Sequence, residues 1–333
     1  MAIGSGVGSQ FGLAPEATYG TYVAPTRFYE TRSARVTKVK NTQDWDGLAA
    51  GRLVDRADGR VVTTKAGRVV IDGLVVTNRD MGLLLNLIMG GTVAPVQQAA
   101  SIAYLQSHAL ADTFGKMATA QSGVPLVGGS VVPQSALGCK VTSATFACAV
   151  DQLLTVGVEM DARDLTESQT LAAASYATSR RPFHFAQMGV RTGATVAGAV
   201  AADGVRGFSL TLERNIKVDQ FYANAGGLKD QPTTADKVAV TGTISADYKT
   251  AAHWADRFRD DTGFSLVIEF IGPIIASTYA ERIAFEMPVV YLNGDTPSVG
   301  GPDVVQTDFP FKGYFDLTNP ALNIPYMSAD TAL

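Results

Sequence analysis

Leu154-Thr155-Val156-Gly157-Val158-Glu159-Met160 carries an apolar side chain at every second position. A two-residue period gathers those side chains on one face of an extended strand, so the stretch reads as β with one buried side. The same alternation recurs further on, in Phe208, Leu210 and Leu212, then Val238, Val240, Ile244 and Tyr248. It returns in Phe264, Leu266, Ile268 and Phe270, and again in Ile283, Phe285, Met287 and Val289. The fold class is mainly β, a β-sandwich or barrel. Every strand has hydrogen-bonding groups on both edges, so a chain with this many must close a barrel, pack as a sandwich or pair with neighbouring molecules.

Working outward, Lys140 to Met160 reads as a hairpin turning near Asp151 and Gln152, with further strands at 205–215, 237–248, 264–272 and 281–292. On the N-terminal side, 27–40 and 60–77 have strand character, with Gly67 and Gly73 at positions suited to a bend. Asn78 is placed to cap a helix carrying Met81, Leu84, Leu85, Ile88 and Met89 on one face and stopped by Gly90. A second flanking helix fits between Asp247 and Asp260, with Tyr248, Ala251, Ala255 and Phe258 on one side. The polar stretch 41–59 reads as a long loop, and 92–133, rich in Ala, Gly, Ser and Pro, reads as an irregular segment wrapping the outside. Residues 1–26 show neither period and read as an extended N-terminal arm, leaving 27–333 as a single β-rich domain. The hairpin from Lys140 and the strand pair at Val205 and Lys237 share an extended pattern that suggests two related β units, without any solenoid-type repeat.

Composition narrows the function. Charged residues make up 17% of the chain, against about 25% in an average domain, which fits a surface partly covered by other subunits. The net charge is −4, and the densest basic stretch, Arg52, Arg56 and Arg60, is interleaved with Asp55 and Asp58, so no track for nucleic acid or anionic membrane is expected. Cys139 and Cys148 lie too far apart along one extended segment to bridge, and read as buried free thiols. A basic, apolar leader and a membrane-length apolar run are both missing from the sequence, which points to synthesis in a cytoplasm.

Residue patterns that carry chemistry are sparse. Gly4, Gly6 and Gly8 follow no strand and lack the lysine of a phosphate loop. His108, His184 and His253 are too scattered for a metal centre, and His184, between Phe183 and Phe185, reads as a packed ring rather than a base. Glu159, Asp161, Asp164 and Glu167 read as solvated loop charge, and Asp260 and Asp261 as helix-end charge. No cofactor, metal or catalytic residue is expected. Besides a structural subunit, the residues leave room for a β-rich hydrolase built around His184.

A further set of short markers runs along the chain: Gly6-Val7-Gly8-Ser9-Gln10, Pro15-Glu16-Ala17-Thr18-Tyr19-Gly20-Thr21 and Pro25-Thr26-Arg27-Phe28-Tyr29-Glu30. They continue with Leu137-Gly138-Cys139-Lys140-Val141-Thr142-Ser143, Pro182-Phe183-His184-Phe185, Val240-Thr241-Gly242-Thr243, Pro310-Phe311 and Ile324-Pro325-Tyr326. In their order and spacing the chain resembles the tail tube, or major tail, proteins of long-tailed, non-contractile bacteriophages. The resemblance implies a tail-tube sandwich or barrel with one or two flanking α-helices, an inner sheet shared across a hexameric ring, and rings stacked into a conduit for DNA. It also implies that the arm, with Phe11, Pro15, Tyr19 and Tyr22, and the loop, with Trp45, Asp46, Arg52 and Arg56, contact adjoining subunits. The partners implied are further copies of the chain, a tape measure protein, a tail terminator and distal tail or baseplate proteins, with DNA passing unbound and no membrane contact. Another β-rich virion component, a head decoration or distal tail protein, is the alternative within the same setting.

Overall fold

The computed structural model describes residues 6–247, 249, 254–294 and 306–333. The first half holds β1 (Gln10–Pro15), β2 (Arg27–Tyr29), β3 (Ser33–Gln43), β4 (Val61–Val75), α1 (Gly82–Met89), β5 (Gly90–Gln97), β6 (Tyr104–Leu110), β7 (Ala118–Pro125), β8 (Val131–Ala149), β9 (Thr155–Ala162) and β10 (Asp164–Thr166). The second holds β11 (Met188–Gly193), β12 (Val200–Ala201), β13 (Val205–Glu213), β14 (Ile216–Lys217), β15 (Thr233–Thr234), β16 (Ala239–Asp247), α2 (Ala255–Arg259), β17 (Phe264–Ala276), β18 (Tyr279–Leu292), β19 (Gln306–Tyr314) and β20 (Asn323–Ser328). The protein is mainly β, as the alternation requires.

Leu154 to Met160 lies where the period predicts. β8 and β9 form a hairpin with Val141 opposite Met160, Ala144 opposite Val158 and Phe146 opposite Val156, all buried. From that hairpin an antiparallel layer extends both ways in the order β3-β4-β9-β8-β13-β16-β19-β18. Two shorter runs complete the fold. β2-β1-β7 continues onto the N-terminal part of β8, which also meets β10, and β12-β11-β17 continues onto β18, which also meets β20. β5 and β6 extend this region through β20. β8 serves both layers because it bends at Gly138, whose φ of +64° is open to glycine at little cost. One core fills the space between, with Phe146 and Phe285 ring centroids 4.8 Å apart and Phe208 and Phe285 5.8 Å apart.

Several expectations need correction. Residues 10–15 are a core strand rather than free arm: Phe11, Leu13 and Ala14 are buried, and β1 is paired on both sides. The segment 92–133 is strand-rich, and β7 is buried from Ala118 to Gly123. Its small residues look like loop in isolation, yet they suit a strand enclosed between β1 and β8, because β preference follows the surroundings more than the residue. α1 begins at Gly82 after Met81, not at Asn78, and ends at Gly90 with φ +83° as anticipated. The Asn78 side chain goes elsewhere: its Nδ2 donates to Glu281 Oε1 at 2.7 Å and its Oδ1 accepts from Arg181 N at 2.7 Å. The second helix is confined to Ala255–Arg259, and Tyr248 and Ala251 lie outside the described residues. The hairpin that matches β13–β16 in sheet position is β3–β4 rather than β8–β9.

Three of the carboxylates read as solvated loop charge are paired on strands. Glu159 meets Arg68 at 2.7 Å, Asp164 meets Lys38 at 3.3 Å, and Asp161 is bonded to the buried Lys229 ammonium. Both cysteines are free and buried, with the Cys148 thiol pushed up to about 11 by desolvation, which makes it a poor nucleophile at neutral pH.

Candidate assembly surfaces

The long antiparallel layer begins at β3, which pairs with β4 on one side only among the described residues. Along its eleven residues only Val36 is buried, so a row of backbone donors and acceptors faces outward with exposed side chains around it. The turn that follows leaves the body of the molecule. Trp45 is 65% exposed, Leu48 and Leu53 are fully exposed, and Val54, Val61 and Val62 are also open to solvent. Asp46 and Arg52 are exposed beside them, and Arg56 pairs with Asp58 while its guanidinium lies 5.7 Å from the Trp45 ring. Hydrogen bonding to Arg56 holds the Asp58 carboxyl below its usual range. An apolar cluster of this size on a projecting turn is the signature of a contact surface.

The N-terminal residues divide. Phe11, expected at a subunit contact, is 1% exposed inside its own chain, whereas Pro15 is exposed at the end of β1. Tyr19 and Tyr22 are half-buried against 163–172: Arg163 Nη1 donates to the Tyr19 carbonyl at 3.3 Å, and the Tyr22 hydroxyl donates to the Thr170 carbonyl at 3.3 Å. Glu16 anchors this segment, since its buried carboxylate accepts from Thr119 Oγ1 at 2.7 Å, Gly20 N at 2.8 Å and Gly138 N at 2.9 Å. Nothing in its sequence neighbourhood signals that role, because every one of those donors except Gly20 comes from β7 or β8.

Besides Lys229, sequence reasoning missed two further buried cations. Arg214, 2% exposed, donates from Nε to the Ile88 carbonyl at 2.8 Å and from Nη1 to the Ala111 carbonyl at 2.8 Å, satisfying an acceptor that the last turn of α1 leaves open. Lys140 donates to the Thr113 carbonyl at 2.9 Å, and burial lowers its ammonium to about 8. His108 touches the Thr92 hydroxyl at 3.0 Å, and its other ring nitrogen has no partner among the described residues. Among the described residues no group of His, Cys, Asp or Glu is placed to hold a metal ion, and no helix is long and apolar enough to cross a membrane.

What the surfaces offer is an open strand edge and a protruding apolar turn, features by which a β-sheet protein can join other chains. The sequence profile described as phage tail tube protein matches residues 6–313. The chain belongs to the phage tail tube protein family and is a virion component of a bacteriophage tail. No curated protein matches it.

Proposed function

We propose that this chain builds the tube of a long, non-contractile phage tail, with rings of six tube-fold units stacked into a conduit through which DNA passes. The observation that carries the reading is the unpaired edge of β3, Ser33–Gln43, in a chain of the tube family. An exposed edge is a hazard for a solitary protein, whereas in a ring each edge is covered by the next copy. The turn with Trp45, Asp46, Arg52 and Arg56, together with Pro15, Tyr19 and Tyr22, supplies contacts to adjoining subunits; Phe11 stays in the core of its own chain. A net charge of −4 without a basic track suits a wall that does not retain phosphates. Tape measure, terminator and distal tail or baseplate proteins are the further partners, and the protein is made in the host cytoplasm before entering the virion. Electron microscopy of the purified chain tests this: rings or hollow tubes of uniform width are expected, and a protein that stays solitary at high concentration overturns it.

A further inference from the structure

The strand pairing of the first half of the chain is repeated in the second. In the first, β1 lies between β2 and β7, β7 pairs with β8, β8 pairs with β9 and β10, and β9 returns to β4, whose other neighbour is β3. In the second, β11 lies between β12 and β17, β17 pairs with β18, β18 pairs with β19 and β20, and β19 returns to β16, whose other neighbour is β13. α1 follows β4, and α2 follows β16. Only β5–β6 and β14–β15 lack a counterpart among the described strands.

The registers coincide too. Leu13 faces Ala120 and Ala120 faces Ala136; in the second half Val190 faces Ile268 and Ile268 faces Phe285. Val141 faces Met160 as Val290 faces Gly313, Leu137 faces Asp164 as Glu286 faces Asn323, and Val36 faces Val69 as Leu212 faces Val240. Leu13, Ala120, Ala136, Val141, Val36 and Val69 are buried, and so are Val190, Ile268, Phe285, Val290, Leu212 and Val240. Two unrelated halves would share neither the order of pairing nor the side of each strand that is buried, because a one-residue slip exchanges the faces.

We infer that the chain is a duplicated tube unit, and that copies join edge to edge through the same contact that joins the two units within one chain. That internal contact is β8 on β13, with Phe146 opposite Leu210, Ala144 opposite Leu212 and Ser143 opposite Glu213. The counterpart of β13 is β3, whose edge is open, and the counterpart of β8 is β18, which runs past its last β17 partner at Val290. Allowing for the bulge between Val141 and Ser143, Leu292 corresponds to Ala144 and Val36 to Leu212. In the joint, Val36 of one copy therefore faces Leu292 of the next, with Arg35 opposite Asn293 and Thr37 opposite Tyr291.

A second observation independently supports the joint. Within the chain, the turn between β13 and β16 leans on the first unit: Gly227 accepts from Lys65 N at 2.8 Å, and Lys229 is bonded to Asp161. The matching turn between β3 and β4 has no such seat among the described residues of its own chain and leaves Trp45, Leu48, Leu53 and Val54 exposed. By the same correspondence, Lys65 maps to Asp236 and Asp161 to Tyr314. Those residues line an open cavity of about 1060 Å³ edged by Lys237, Val238 and Phe315. Tyr314 and Phe315 are themselves exposed there, at 41% and 61%. The apolar turn of one copy thus has an apolar seat on the second unit of the next.

This rests on the tube reading above and gives its arithmetic: six units around the axis are three chains, with approximate six-fold and true three-fold symmetry. Oxidation of assembled Arg35→Cys/Asn293→Cys protein should link chains pairwise around the ring and yield a closed covalent trimer on a non-reducing gel, with neither single variant doing so. Wild-type rings should weigh three times the 35.0 kDa chain by native mass spectrometry. Phe315→Asp should abolish rings while leaving the circular dichroism of the chain unchanged. Rings of six chains, or rings that form without the disulfide in the double variant, overturn the inference and leave the tube standing; the failure of wild-type protein to form any ring overturns the tube reading itself.

Discussion

At the residue scale, the buried groups that link this protein to pH and stability are not those that stand out in the sequence. His108 is fully buried on β6; Thr92 Oγ1 donates to Asn86 Oδ1 at 2.8 Å, so the 3.0 Å contact of that hydroxyl to His108 Nδ1 must be donated by the ring. Its Nε2 has no protein partner, and desolvation lowers the imidazole from 6.5 to about 4. The unfolded chain protonates first, so this contribution is complete above pH 6.5 and is lost as pH falls toward 4, up to about 3 kcal/mol. Urea unfolding of the unassembled protein at pH 7 and pH 4.5 should show that loss, and His108→Gln should flatten it; an unchanged slope in the variant refutes the assignment. The buried carboxyls of Asp161 and Asp330, raised by desolvation, act in the opposite sense, which is why the comparison is made between the two proteins. Arg214→Leu leaves the Ile88 and Ala111 carbonyls without their donor and should cost about 3 kcal/mol, read as a lowered urea midpoint.

At the element scale, β1 and the β3–β4 turn behave in opposite ways although both look like flexible segments in the sequence. Reading 1–26 as a free arm predicts that removing residues 1–24 leaves a folded protein. The strand pairing reverses this: the truncation removes buried Phe11 and Leu13 and opens β7, so it should abolish cooperative unfolding, whereas removing residues 1–8 should not. The turn carries the reverse expectation. Replacing Trp45, Leu48, Leu53 and Val54 together with Ser removes only exposed side chains, so the unfolding midpoint should stay within about 0.5 kcal/mol of wild type while ring formation fails. Gly138→Ala belongs here as well, since a Cβ would meet the Tyr19 ring at 2.6 Å on a backbone with φ +64°, and about 1–3 kcal/mol should be lost.

At the scale of the whole molecule, an eight-strand layer shared by two like units explains how one chain presents an unfilled edge at one end and its complement at the other. Such an unlike pair of ends is what a closed ring needs, because a head-to-tail contact propagates until rotation brings it back to the start. The sequence by itself determined the β class, the strands that became β9, β13, β16, β17 and β18, and the stop at Gly90, since period and glycine conformation are local properties; β11, β19 and β20 were not legible in it. It also carried the resemblance to the tail tube family, whose profile matches residues 6–313. The role of β7 was not legible, because Ala118 to Gly123 become a strand only between two partners. Two related units were suggested by the extended pattern, but not how they align: Leu13 and Val190, Ala120 and Ile268, or Ala136 and Phe285 share burial but not identity. Packing constrains the face and approximate volume of a side chain, and several residues meet that constraint equally well, so the repeat persists in the pairing of strands after it has faded from the letters.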